Sequence, residues 1–340
     1  MTSPKWSGEL TEEQQAEFHD KGFLVLKNVF DESELNRAKQ EIDGIVDEIA
    51  TRLYNAGKIT DKHESAPHES RLSLIEAQYP GATVLVHKDQ AAGPALQALW
   101  TKPCLLNLMG QLLGPDIVGH PVWNIRPKAP GVANHDVPWH QDQAYMSKES
   151  DGGIAITAWI PLLDTHAHNG CLQAKPAFLE LIPGVHQQRK VGQHKGLWAN
   201  TWYIYMEDED TEKLGASVVE AVTCPVPLGG LLLFDNYVPH RSLPNRSEAI
   251  RWSLDLRWAP GHQLTGFDEV KPPVWFRRDG EDLASVDWET FNSVDRQAVV
   301  EKKMGSKELE TRINPQIWLA RWPLVHANAH SQAMQEEAAA

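Results

Sequence analysis

Apolar residues recur every three or four positions along "DESELNRAKQEIDGIVDEIATRLYNAG", at Leu35, Ala38, Ile42, Ile45, Ile49 and Leu53. That spacing gathers them on one face of a helix, and Asp31 with Glu34 supplies its start signal. Upstream, "LTEEQQAEFHDKG" predicts a short helix with Thr11 as cap, Gln14 at the capping-box position and Gly22 as stop. "FLVLKNVF" follows as a short strand, and "PALQALWTKPCLLNLMGQLLG" as one or two helices. "LVHKDQ" reads as a strand end entering a polar loop, with His87 a surface or internally satisfied residue. "HESAPHES" also reads as a loop. Its histidines are five residues apart with Pro67 between them, whereas paired helical metal ligands need i and i+4 on an unbroken helix.

The period changes near residue 117. "IVGHPVWNIRPK", "GIAITAWIPLLD", "CLQAKPAF", "GGLLLFDNY" and "IRWSLDLRW" are short Val-, Ile-, Leu- and Trp-rich runs separated by turn residues. This is the pattern of a small antiparallel β-sandwich or barrel. The last run alternates: Trp252, Leu254, Leu256 and Trp258 share one face, Arg251, Ser253, Asp255 and Arg257 the other. In a barrel, such a polar face can line a cavity rather than meet solvent. "DWETFNSVDRQAVVEKKM" reads as helical. No composition break divides the chain, so a single domain over 1–340 is expected: mainly helical over 1–116, a β-core over 117–260 and a C-terminal decoration over 261–340.

Composition narrows the function classes. With 41% apolar and 23% charged residues the chain is an ordinary soluble protein. Its net charge of −14 argues against nucleic acid or an anionic membrane as partner, and it suits a polyanion such as a coenzyme A thioester poorly. No apolar run is long enough to span a bilayer, and "MTSPKWSGEL" has no signal-peptide core. Cys104, Cys171 and Cys224 are too few and too scattered for a disulfide framework or a zinc site, which fits a reducing, cytoplasmic setting. The oligomeric state stays open.

Candidate chemistry begins at "VPWHQDQAYM". On a strand, His140 and Asp142 would point to the same face. Among 15 histidines such a triplet is expected by chance, and "HKD" at 87–89 is a second one. His240 changes the weight. Two imidazoles and one carboxylate on one face of an iron leave the opposite positions open, the arrangement of non-haem Fe(II) oxygenases. Those positions accept a chelating oxo-acid and O2. Arg251, one strand beyond His240, is the residue type to grip the oxo-acid's distal carboxylate through paired hydrogen bonds. Ser242 and Ser253 offer hydroxyl donors. Trp123, Tyr145, Trp198, Trp202, Tyr203 and Tyr205 are candidates for an aromatic pocket wall, against the commoner role of plain core residues. Two alternatives remain: a cupin-type metalloenzyme that does not use 2-oxoglutarate, and a metal- or ligand-binding module without catalysis.

"RPKAPG" before "PWHQDQAY", then "WIPLLDTHAHNGCLQAKPAFLELIPGVH" and "HRSLPNRSEAIRWSL", together resemble the phytanoyl-CoA dioxygenase family of Fe(II)/2-oxoglutarate oxygenases. The resemblance implies a mainly β fold: a double-stranded β-helix, or cupin-like jelly roll, with N-terminal helices packed on one sheet. It implies His140, Asp142 and His240 as iron ligands and Arg251 as the 2-oxoglutarate anchor, with Ser242 and Trp159 nearby. Asn124 and Lys128 fall on the strand and loop that help line the pocket in relatives. The implied cofactors are Fe(II), 2-oxoglutarate and O2, and the implied reaction is hydroxylation, desaturation or cyclisation at a C–H bond of a small-molecule substrate. Two features bear on specificity. The segment ending in "PGVH" is longer than the family's usual turn, with Val185 replacing a serine. Asp142 is kept, where related halogenases lose the carboxylate.

Overall fold

The structure is a computed structural model that describes residues 6–88, 91–131, 136–163, 179–196, 203–215 and 220–295. The first helix, α1 (Glu12–Lys21), carries the expected capping box at Thr11 and Gln14 and ends at Gly22, whose φ of 82° is the left-handed conformation that glycine adopts without steric cost. Strand β1 (Phe23–Leu26) leads into α2 (Glu32–Asn55), which buries Leu35, Ala38, Ile42, Val46, Ile49 and Leu53. Val46 takes the inner position, and Ile45 lies half-buried at the margin of the face. Next come α3 (Arg71–Gln78), α4 (Ala82–Lys88), α5 (Pro94–Trp100) and α6 (Pro103–Leu113). Pro103 lacks an N–H and starts α6, which separates the last two helices.

Helix α4 corrects the strand expected around His87. The β-branched run "ATVLV" has strand-like composition, but Glu76 overrides it by accepting hydrogen bonds from Gly81 N at 2.6 Å and Thr83 N at 2.8 Å. These satisfy donors at the start of the helix that have no intrahelical partner. Residues 63–70 form turns, as expected.

The β-core contains β2 (Ile117–Gly119), β3 (Asn124–Lys128), β4 (Ile156–Pro161) and β5 (Leu179–Leu181). After a short α7 (Asp208–Lys213) follow β6 (Val222–Cys224), β7 (Leu231–Asp235), β8 (His240–Ser242) and β9 (Arg251–Pro260). The last described elements are β10 (Val274–Arg278), β11 (Glu281–Asp282) and α8 (Trp288–Ser293). The expected strand "CLQAKPAF" and the second half of the expected C-terminal helix, from residue 296, lie outside the described residues.

All described pairings are antiparallel. The larger sheet runs β1-β7-β4-β9-β2-β10-β11, with β3 also paired to β9, and the smaller runs β6-β5-β8. The sheet thus draws strands from the helical N-terminal part and from beyond residue 260. Side-chain parity sorts its two faces. Ile156, Ala158, Ile160, Leu231, Leu233, Trp252, Leu254, Leu256 and Trp258 share one core with the N-terminal helices. Trp159, Leu232 and Phe234 point the other way and pack against Leu179, Leu181 and Cys224 of the smaller sheet. Two facing antiparallel sheets with helices on the outer face of one make the jelly roll, as expected. The polar residues of β9 therefore lie between the sheets.

Candidate active site

His140 and His240, a hundred positions apart, face each other as an isolated antiparallel bridge. Each backbone N–H donates to the other's carbonyl, at 3.0 and 2.9 Å. This main-chain pair sets the two rings 4.1 Å apart between centroids. Gln141 is extended, and a 3-10 turn begins at Asp142, which brings the carboxylate beside both rings. Asp142 Oδ1 lies 3.9 Å from His140 Nε2 and 3.9 Å from His240 Nε2, too long for hydrogen bonds. The three side chains are buried and bring their ligand atoms within 4.8 Å of one another.

The ring nitrogens facing away are both committed. His140 Nδ1 donates to Pro138 O at 2.8 Å and His240 Nδ1 to Val238 O at 3.0 Å. That fixes the tautomer and leaves each Nε2 lone pair for a metal. Burial lowers both imidazole pKa values, and for His140 the neighbouring His240 adds to the fall. Both rings are therefore neutral, the form that ligates. Burial alone would raise the pKa of Asp142, but Arg257 and the two imidazoles outweigh it and hold the carboxyl well below the usual carboxylate range.

The loop that carries His140 and Asp142 is clamped from behind. Gln141 donates to Tyr237 O and Lys190 O and accepts from Gly192 N, while its own N–H donates to His194 Nε2. Gln143 bonds Asn236 and Ser150. The extended Gln141 followed by the 3-10 turn thus turns 140 and 142 into the site and 141 and 143 into a polar clamp.

Arg251 lines the same buried cavity as His140 and His240, together with Arg126, Lys128, Trp159, Ser242 and Asp255. Its Nη1 donates to Ser253 Oγ at 2.5 Å, and its guanidinium stands 5.3 Å from the Trp159 ring. Burial lowers its pKa to about 10, with Asp255 opposing, so it stays charged at neutral pH. Arg251 Nε and Trp159 Nε1 are both buried without a hydrogen-bond partner. Two buried donors on residues that line one cavity suit an anionic oxo-acid, just as two neutral imidazoles and one carboxylate suit Fe(II).

The other expected residues separate by position. Lys128 Nζ reaches Ser242 Oγ at 2.9 Å, Leu243 O at 2.6 Å and Asp136 at 2.7 Å. Burial and the nearby Arg251 pull its pKa down to about 7. Ser242 Oγ also accepts from Val137 N. Ser253 serves Arg251 directly. Asn124 is buried but does not line the cavity. It sits beside Arg257, and with its amide group turned end for end its side-chain oxygen accepts from Arg257 Nη1 at 3.1 Å. Of the aromatic candidates, Trp123 belongs to the helix-side core, and Tyr145 packs edge-on against His140. Tyr203 and Tyr205 are not among the cavity residues, and Trp198 and Trp202 lie outside the described residues.

Sequence reading assigned no role to Arg257, Thr157, Asp255 or Arg126. Arg257 donates to Asp142 Oδ2 from Nε at 3.0 Å and Nη2 at 2.9 Å, and Thr157 Oγ1 donates to the same oxygen at 3.1 Å. Asp255 pairs with Arg126 and lies 3.9 Å from Arg257. The available signal was the β9 alternation, which already put Arg257 on the face of Arg251.

Comparison with known proteins agrees with this geometry. A family model described as phytanoyl-CoA dioxygenase (PhyH) matches residues 18–253. The chain belongs to the phytanoyl-CoA dioxygenase family. It is accordingly an Fe(II)- and 2-oxoglutarate-dependent oxygenase that uses O2. It is 23% identical over 302 residues to phytanoyl-CoA dioxygenase domain-containing protein 1 of Danio rerio, covering 78% of this chain and 98% of that one. A 1-deoxypentalenic acid 11-beta-hydroxylase of Streptomyces exfoliatus is 28% identical over 182 residues, 51% of this chain and 60% of the relative. Among solved structures, the apo form of the non-heme monooxygenase ThoJ superposes with a TM-score of 0.53 at 18% identity, covering 89% of this chain and 98% of its own, a likeness of fold. Among the described residues no helix is long and apolar enough to cross a membrane.

Proposed function

We propose that this oxygenase oxidises an unactivated C–H bond of a small molecule and releases succinate and CO2, with hydroxylation as the default outcome and desaturation or cyclisation open to the same centre. The observation that carries the reading is the convergence of His140 Nε2, Asp142 Oδ1 and His240 Nε2, with both imidazoles lining the same cavity as Arg251. In this reading His140, Asp142 and His240 hold Fe(II). Arg251, propped by Ser253, binds the distal carboxylate of 2-oxoglutarate, and Trp159, Ser242 and Lys128 complete that chamber. Asn124 acts through Arg257. Bound together there, Fe(II), 2-oxoglutarate and O2 supply an oxidant able to cleave a C–H bond. The protein's part is to keep the imidazoles neutral, orient the carboxylate and exclude water with Val84, Val137, Leu179 and Phe234. The similarity to a hydroxylase favours hydroxylation. The reading takes the chain as one oxygenase domain in a cytoplasmic setting.

A substrate screen with aerobic Fe(II) protein, read as succinate released, tests this. The expected result is substrate-dependent succinate that falls sharply in Arg251→Ala. Turnover unaffected by Arg251→Ala supports the cupin-type alternative without 2-oxoglutarate. Absence of succinate with every candidate supports the non-catalytic module.

A further inference from the structure

Asp142 presents its two oxygens to different surroundings. Oδ1 faces the two Nε2 atoms at 3.9 Å and is the oxygen of the ligand cluster. Oδ2 faces the wall and receives Arg257 Nε, Arg257 Nη2 and Thr157 Oγ1, all within 3.1 Å. A carboxylate oxygen with three donors on it has little lone-pair density left for a metal. The donors are themselves held. Arg257 Nη1 reaches Val122 O at 3.3 Å, and the backbone carbonyl of Arg257 accepts from Trp100 Nε1 and His120 N. Thr157 and Arg257 are paired opposite each other across β4 and β9 and are buried. The fork is thus built into the two central strands of the larger sheet and is anchored to the helical layer. Arg257 also lies beyond the residues that the family model matches.

We infer that Arg257, with Thr157, is the positioning residue that confines Asp142 to one-oxygen ligation and so keeps three metal positions open. The count matters chemically. Two imidazoles and one carboxylate oxygen occupy three of six positions, and a chelating oxo-acid plus O2 needs the other three. A carboxylate bound through both oxygens would take a fourth and compete with the oxo-acid. Arg257 also withdraws charge from the carboxylate, so its loss makes Asp142 a stronger and more chelating ligand. This inference rests on the proposed metal site. It predicts opposite responses for metal and co-substrate: removing a donor from Oδ2 weakens 2-oxoglutarate binding without weakening Fe(II) binding.

The test is an anaerobic titration of full-length protein, first with Fe(II) and then with 2-oxoglutarate, the latter read by visible absorption of the Fe(II) protein. Melting temperature is measured on the same samples. The variants are Arg257→Lys, Thr157→Val and Thr157→Ser. The expected result is 2-oxoglutarate affinity lowered on the order of tenfold in Arg257→Lys, the scale of one lost hydrogen bond to a charged group. Thr157→Val should show a smaller loss and Thr157→Ser near-complete recovery, with Fe(II) affinity undiminished in all three. Thr157→Val removes one hydroxyl at nearly constant shape, so it decides the matter if Arg257→Lys does not fold. Fe(II) and 2-oxoglutarate affinities that fall in proportion to melting temperature, or 2-oxoglutarate binding unchanged in Thr157→Val, would overturn the inference while leaving the metal site intact. Wild-type protein that fails to bind Fe(II) would overturn the metal site and this inference with it.

Discussion

At the scale of single residues, Arg251 donates to Ser253 Oγ and stands against the Trp159 ring, Asp255 acts on it only through space, and its Nε is buried without a hydrogen-bond partner. A guanidinium that remains charged in such a place implies an anion as its counterpart. Arg251→Ala should therefore raise the KM for 2-oxoglutarate by on the order of a hundredfold, the cost of truncating one partner of a buried charge pair. Arg251→Lys should recover part of the loss, since it restores charge but not the fork. Succinate formation against 2-oxoglutarate concentration measures both. Asp235, which accepts from Tyr237 N behind the Gln141 clamp, gives a pH prediction for stability. Burial pushes its carboxyl up to about 6, against the opposing pull of its Arg189 partner. With a folded pKa above the unfolded value near 4, the native state binds more protons between those pH values. Its contribution to stability therefore falls as pH rises from about 4 through about 6. The melting temperature of wild type minus that of Asp235→Asn should decline over that window and level off above it. A difference independent of pH would contradict the assignment.

At the scale of elements, β9 was the most legible part of the chain. Its alternation separated the apolar side chains now packed on the helices from the polar ones now between the sheets. Helix α4 was the least legible. Local composition favoured a strand, and the decisive groups were the Glu76 carboxylate oxygens meeting Gly81 N and Thr83 N. A cap supplied by the preceding helix leaves no clear local periodicity. Glu76→Ala should cost about 1 kcal/mol of stability, the typical cost of a lost cap. Because α4 places Thr83 and Val84 on the cavity wall, the change should also speed amide exchange over 81–84. Unchanged exchange there would show that α4 is held by packing alone.

At the scale of the whole molecule, short strands and turn signals announced the β-core, while the pairing order could not be read. That order depends on contacts such as the His140–His240 bridge, which no local pattern encodes. The convergence of His140, Asp142 and His240 near Arg251 was legible because each residue type is chemically specific and their order along the chain resembles a known family. Arg257 and the Gln141 and Gln143 clamps were not, because arginines and glutamines are common on protein surfaces and only the closed fold shows what they touch. The central claim is that side chains distant along the chain make one centre that binds a metal and an oxo-acid together. Anaerobic addition of 2-oxoglutarate to the Fe(II)-loaded protein tests it most directly. The account predicts a new visible absorption band in wild type that is lost in His240→Ala and shifted to much higher 2-oxoglutarate concentration in Arg251→Ala. Absence of any band in wild-type protein, or a band indifferent to both substitutions, would contradict it.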